Sequence, residues 1–279
     1  MRRFPGRLGS GDSGITPVLA VVLLIGVFVT FFAAMFGAVV PVMRRDQERA
    51  HMTSVLNSFL ELKRSIEEEL TLYIIENAAK EAGRNPMITS YTHTVDVKLS
   101  CDPLPILGWL TTGSLRLNGG KIKFSSPNPH YVPQEWIYEN GAVILVQEGT
   151  SIMRSPPPMI TVRQAAGDNL EVWVTTFYID GTDNVAGSGT ATVTVALDSV
   201  TVENTPRASL TVTVSGNVTA WRKYFESVSA KINSDFGSNV SQVQSTASSV
   251  SLSINGKRSD ATNDIFEIQR RVRIKASLF

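Results

Sequence analysis

Hydrophobic and polar positions follow three regimes along the chain. Residues Ile15 to Met43 read ITPVLAVVLLIGVFVTFFAAMFGAVVPVM, without a charged side chain. About 20 apolar residues cross the hydrocarbon core of a bilayer as a helix, so this run spans it with some to spare. Backbone in lipid must hydrogen-bond to itself, which makes a lone span helical. Pro17 falls in the first turn, where a missing N–H costs nothing, and Pro41 falls near the far end. Downstream of Met43 polar residues enter but the helical period persists. Met52, Val55, Phe59, Leu62, Ile66, Leu70 and Tyr73 recur at three- and four-residue steps, predicting an apolar stripe. Glu61, Lys63, Arg64, Glu67 and Glu68 fall largely away from it. No proline or glycine interrupts Arg44 to Ala82, and Gly83 with Asn85-Pro86 supplies a stop.

From Ile88 the period changes to two. His93 to Leu99 alternates apolar and polar as a half-buried strand does. Leu115-Arg116-Leu117 and Lys121 to Phe124 flank Asn118-Gly119-Gly120, while Trp136 to Glu139 and Ala142 to Val146 flank Asn140-Gly141, both hairpin signals. Ser155-Pro156-Pro157-Pro158 breaks the sheet. Further strands are expected at 159–162, 170–179, 190–197, 210–214, 240–254 and 266–278. Trp221, Phe225, Val228 and Ile232 share one helical face, so Ala220 to Phe236 is expected to be a late helix. In the last strand Phe266, Ile268, Val272, Ile274, Ala276 and Leu278 point one way and Glu267, Gln269, Arg271, Arg273 and Lys275 the other. The expected fold class is α+β: a long N-terminal transmembrane-plus-amphipathic helix packed on an antiparallel, sandwich-like β-rich extracellular domain with one late helix.

Composition narrows this little. The 279-residue chain carries a formal net charge of +1, which gives no general pull toward nucleic acid. Arg2, Arg3 and Arg7 precede the apolar run, but Arg44, Arg45 and Arg49 follow it, so the positive-inside rule barely separates the two sides. Cys101 is the single cysteine, so neither an intrachain disulfide nor a thiolate metal cluster can form. A cleaved secretory signal has an apolar region of about 7–15 residues and a small-x-small site, and the run here is longer without such a site.

The N-terminus resembles archaeal type IV pilins and pilin-like proteins. The matching residues are a short basic leader, then Ser13-Gly14-Ile15-Thr16-Pro17-Val18, then the long apolar helix. The resemblance implies that a leader peptidase cuts between Gly14 and Ile15, leaving the leader in the cytoplasm and the rest of the chain outside. It gives the division 1–14 leader, 15–43 transmembrane helix, 44–83 membrane-proximal amphipathic helix and 84–279 β-rich outer domain. Ser13 stands where the family usually has Lys or Arg.

Chemistry is scarce. His51, His93 and His130 show no zinc spacing, no nucleophile elbow is present, and no glycine-rich phosphate loop precedes a helix. Asp180 to Asn184 collects oxygen ligands without the spacing of an EF-hand loop and reads as a polar hairpin. Neither catalytic residues, nor a metal, nor a cofactor is expected. Arg270, Arg271, Arg273 and Lys275 offer a basic face, read first as protection of an exposed sheet edge and second as a site for an acidic partner. No aromatic interleaves them as a nucleic-acid platform requires. Asn217-Val218-Thr219 and Asn239-Val240-Ser241 are acceptor triplets for glycosylation of an exported domain. Gly26, Ala33, Ala34, Gly37 and Ala38 are small enough for close helix packing. The expectation is a pilin-like filament subunit or accessory pilin. Its partners would be membrane lipid, a leader peptidase and other pilin-like subunits, with no nucleic acid. The alternatives are a non-polymerising anchored adhesion module and, disfavoured, an exported hydrolase.

Overall fold

The computed structural model describes residues 15–83, 92–101, 112–165, 169–256 and 264–279. The expected leader with Gly14 and the Asn85-Pro86 stop lie outside them. The chain divides into two compact units, Met1–Gln47 and Glu48–Phe279, and each is described by itself. The helical period is realised as one element, α1 (Ile15–Glu81), with Pro41 inside it. At its C-terminus Gly83 takes φ 71° and its N–H donates to Lys80 O at 3.0 Å, the glycine-closed end the sequence predicts.

In the second unit α1 is followed by β1 (Thr92–Lys98), β2 (Gly113–Asn118), β3 (Lys121–Ser126), β4 (Gln134–Glu139), β5 (Ala142–Gln147), β6 (Thr150–Ser155) and β7 (Ile160–Gln164). Next come β8 (Leu170–Asp180), β9 (Thr182–Gly187), β10 (Thr190–Arg207) and β11 (Ser209–Ser215). The chain ends with α2 (Val218–Phe236), β12 (Ser241–Ser245), β13 (Ser249–Asn255) and β14 (Ile265–Leu278). Three sheets result, ordered β1-β10-β14-β8-β7, β6-β5-β4-β3-β2-β9 and β11-β13-β12.

The expectation of a wholly antiparallel body needs one correction. β14 pairs β8 in parallel, Ile265 opposite Leu170 through Lys275 opposite Asp180. A parallel pair needs a crossover of a dozen or more residues, and β9 to β13 with α2 supply one. The single strand expected at 240–254 is instead a hairpin. Thr246 Oγ1 accepts from the Ser249 N–H at 3.0 Å and closes the turn between β12 and β13 without glycine or proline.

Two hydrophobic cores lie on opposite faces of shared strands. The first holds the stripe Met52, Val55, Phe59, Leu62, Ile66 and Leu70 of α1 against Val95 and Val97 of β1, Trp136 and Tyr138 of β4, Val143 and Leu145 of β5, and Phe177 and Ile179 of β8. Each such side chain is worth about 2 kcal/mol when fully withdrawn from water. The second core is built by Trp221, Phe225 and Ile232 of α2, the inner residues of β11 and β13, Ile137 and Ile144, and Leu170, Val172 and Val174 of β8. Successive strand residues face opposite sides, so β8 serves the second core with its even positions and the first with its odd ones. It changes over where Val174 and Thr175 are both buried. β14 does the same: Ile265 and Glu267 are buried on one face, Val272 and Ile274 on the other. The simple two-faced reading of this strand is thereby corrected, because Glu267 sits inside, paired with Arg207 Nε at 2.6 Å.

The position of Lys63 also departs from the expectation. It is 7 % exposed, and its Nζ donates to Gly141 O at 3.0 Å, Pro156 O at 2.9 Å and Glu67 Oε1 at 2.6 Å. An ammonium has three protons to donate, and all three find acceptors. Asn140 and Gly141, at φ 49° and 81°, make the primed turn their dipeptide predicts. A Cβ on Gly141 would stand 2.8 Å from Phe177 Cδ2, so the turn that receives the lysine also requires glycine.

Candidate membrane anchor and surface sites

The apolar part of α1 exposes its side chains. Val18, Leu23, Val27 and Phe31 are all more than 60 % exposed, and the most apolar window of the helix has no buried share. It is long and apolar enough to cross a membrane. Its one hydroxyl among the described side chains from Val18 to Met43 is satisfied locally: Thr30 Oγ1 donates to Gly26 O at 2.7 Å. That matters in lipid, where an unbonded hydroxyl costs several kcal/mol (about 4–8 by transfer to a hydrocarbon). At about 100° per residue, Gly26, Thr30, Ala33 and Gly37 fall within an arc of about 60°. A Cβ on Gly26 or Gly37 would meet nothing within 4 Å. Phe28, Phe32 and Phe36 follow one another down another side of the helix, with ring centroids 6.5 and 6.4 Å apart. The helix therefore gathers Gly26, Ala33 and Gly37 of the expected packing residues on one line and leaves Ala34 and Ala38 about 80–120° away. Ile15 starts α1 and Gly14 lies outside the described residues.

The two acceptor triplets differ. Asn239 is exposed, but the hydroxyl of Ser241 is buried and bonded to Ser229 and Asn233. Asn217 opens α2 in a left-handed conformation, half-buried, with its amide donating to Glu139 Oε2 at 2.7 Å. Burial pushes the Glu139 carboxyl above its ordinary range, against the pull of the Asn217 bond and the charge of Lys121. This pairing joins residues 78 apart, and nothing in the local sequence of either announces it.

The histidines stand in structural roles. His51 Nε2 lies 2.9 Å from Lys98 O, His93 Nε2 lies 2.9 Å from Glu69 Oε1, and the His130 N–H donates to Glu48 Oε2 at 2.9 Å. Each pair ties α1 to the strands or loop beside it. No group of three or more metal-ligating side chains occurs among the described residues. Asp183 of the Asp180–Asn184 run belongs to β9, where its Oδ2 accepts from the Leu278 N–H at 3.3 Å.

The basic face requires the clearest revision. β14 is the middle strand of its sheet, between β10 and β8, so its arginines guard no edge. Arg270 parts from the others, its guanidinium carbon 5.0 Å from the Trp173 ring, with burial lowering its basicity. Arg271, Arg273 and Lys275 are exposed on the other face. Arg273 opposes Tyr178 across the parallel pair and lies 5.9 Å from its ring. Tyr178, Ser199 and Thr201 are absent from the sequence reading because the register that brings them to Arg273 and Arg271 is not local.

A spanning-length apolar helix and a two-core β-rich body define a helix-bearing α+β protein. Residues 133–268 match a family of unknown function, DUF7289. No curated protein and no solved structure matches the chain.

Proposed function

We propose that this chain is a type IV pilin-like surface protein. Its apolar helix anchors it in a membrane, and its β-rich body stands outside the cell as a structural subunit or accessory pilin of a surface filament. The observation that carries the reading is the uncharged helix from Val18 to Met43, whose side chains are exposed along its length. In water such a surface is unstable; in lipid, or bundled with like helices, it is at rest. Also in favour are the Ser13-Gly14-Ile15-Thr16-Pro17 junction, the continuation of the helix into an amphipathic stripe, and the line of Gly26, Ala33 and Gly37, where helix backbones can approach closely.

Sequencing the N-terminus of the native protein, together with fractionation of sheared cells, tests this. A mature chain beginning at Ile15 and recovered in the sheared fraction is the expected result. A chain retaining its leader and found only in membrane extracts would remove the filament reading. Protease accessibility of the body on intact cells tests its outward placement separately.

A further inference from the structure

Arg271, Arg273 and Lys275 project from the middle strand of a five-stranded sheet, where edge protection cannot be their purpose. Strand pairing surrounds the two arginines with hydroxyls and a ring, while Lys275 stands opposite Asp180 and Ala196. Tyr178 and Thr176 of β8 stand opposite Arg273 and Arg271, and Ser199 and Thr201 of β10 stand opposite the same two arginines from the other side. These six residues, with Phe177 and Val272, line an open groove of about 540 Å³, within the range of small-ligand sites, which runs from about 300 to 1,000 Å³.

Its electrostatics are uneven. Lys275 is engaged by Asp198 at 2.6 Å, and Arg271 faces Glu203 at 3.3 Å in a pair exposed by half on both sides. Arg273 has no carboxylate partner among the described residues and is held over Tyr178 instead. Tyr178 in turn lies against the hairpin turn at Gly120, where an added Cβ would stand 3.8 Å from the ring. The lining contains no carboxylate. A guanidinium not taken up by a protein carboxylate can offer its N–H edge to a ligand carboxylate in two parallel hydrogen bonds. The hydroxyls beside it suit neighbouring sugar hydroxyls. The two apolar residues of the lining, Phe177 and Val272, are buried in the first core, so the groove offers no exposed aliphatic anchor of the kind a protein interface core requires.

We propose that this groove binds the uronate units of an acidic polysaccharide. Arg273 receives the carboxylate, Tyr178 positions Arg273, and Thr176, Ser199 and Thr201 bond the sugar hydroxyls. The biological setting rests on the outward placement of the body proposed above, whereas binding by purified protein does not, so the two can fail separately.

The test is titration of the full chain in detergent micelles with polygalacturonate, with dextran as the neutral polymer and polyglutamate as the carboxylate polymer without sugar. Polygalacturonate should bind, dextran should not, and polyglutamate should bind at least about tenfold more weakly, since it lacks partners for the groove hydroxyls. Arg273→Gln should weaken polygalacturonate about tenfold or more, and Arg273→Lys should fall between that variant and the parent. Glu203→Gln, which removes the carboxylate competing for Arg271 and leaves its 2.7 Å bond to Gln269 in place, should tighten it about two- to fivefold, a gain that misfolding cannot imitate. Equal binding of dextran, equal or tighter binding of polyglutamate, an unchanged Arg273→Gln, an unimproved Glu203→Gln, or no binding of polygalacturonate would each overturn the assignment.

Discussion

Replacing Lys63 by methionine keeps the stem's packing and deletes its ammonium. Gly141 O and Pro156 O then lose the donor that reaches them at 3.0 and 2.9 Å. A buried acceptor left without a donor costs about 1–3 kcal/mol. Removing one member of a buried charged cluster costs about 3–5 kcal/mol when its partner is stranded. Glu67 is not stranded, because its side chain is 35 % exposed and rehydrates, so its share is discounted to about 0.5 kcal/mol. Relief from no longer burying a cation offsets part of the remainder. The expected loss is about 3 kcal/mol, which in a unit of this size lowers Tm by about 6–12 °C at about 2–4 °C per kcal/mol. Glu67→Gln should move Tm by no more than about 2 °C. Thermal melts of the parent and both variants, followed by far-UV circular dichroism in one detergent, measure the difference. If Lys63→Met melts within 2 °C of the parent, or no lower than Glu67→Gln (both limits from about 2–4 °C per kcal/mol), the two carbonyls do not depend on the ammonium and the lock is refuted.

Phe59, 1 % exposed in the middle of the stripe, should cost about 3–5 kcal/mol when truncated to alanine, and Leu60 at 37 % exposure should cost under about 1 kcal/mol, both measured by denaturant unfolding. The Glu139 carboxyl has a raised folded-state pKa, so its contribution to stability is fully present below the ordinary carboxylate value and is lost as pH rises through the raised one. Glu139→Gln should flatten the fall in Tm across that window while keeping an acceptor for Asn217. In protein isolated from its native membrane, peptide mass spectrometry should find any glycan on exposed Asn239 and none on Asn217, since a glycan on that half-buried amide would displace Glu139 and hinder folding. The buried Ser241 hydroxyl requires that such modification precede folding, so Asn239→Gln should remove the added mass and folded protein offered to a glycosylating extract should gain none.

What the sequence shows well is what is local. The stripe from Met52 to Leu70 follows from a 3.6-residue period, and the Asn140-Gly141 turn follows from two residues that tolerate positive φ. The strands the pattern does not reveal, β6 and β9, are the two edges of the six-stranded sheet. An edge strand packs less of its surface, so Thr182–Gly187 keeps the Asp, Asn and Gly content of a turn and still pairs with β2. Lys63 misleads for the opposite reason: its charge marks it as solvated, and only the carbonyls of Gly141 and Pro156, 78 and 93 residues away, make its burial tolerable. The groove is hidden similarly. Arg271, Arg273 and Lys275 show an alternating face, but a strand's place in its sheet, and the parallel register with β8, depend on pairings between distant segments.

The division into two cores separates what the chain shares from what its anchor requires. Every buried residue of the second core, from Ile137 to Ile265, falls within the 133–268 stretch that matches DUF7289. The first core cannot be built from that stretch, since it needs the α1 stripe and the inner residues of β1, β2 and β3. β4, β5, β8 and β14 present one face to each core, so they couple the two energetically: a cavity at Phe59 loosens strands whose reverse sides hold Trp221 and Phe225. The second core has no α1 residue in it, so its packing does not depend directly on the helix. The anchoring reading therefore stands on the physics of α1 itself, an exposed uncharged surface that ends where a buried stripe begins, rather than on the likeness carried by the sheets.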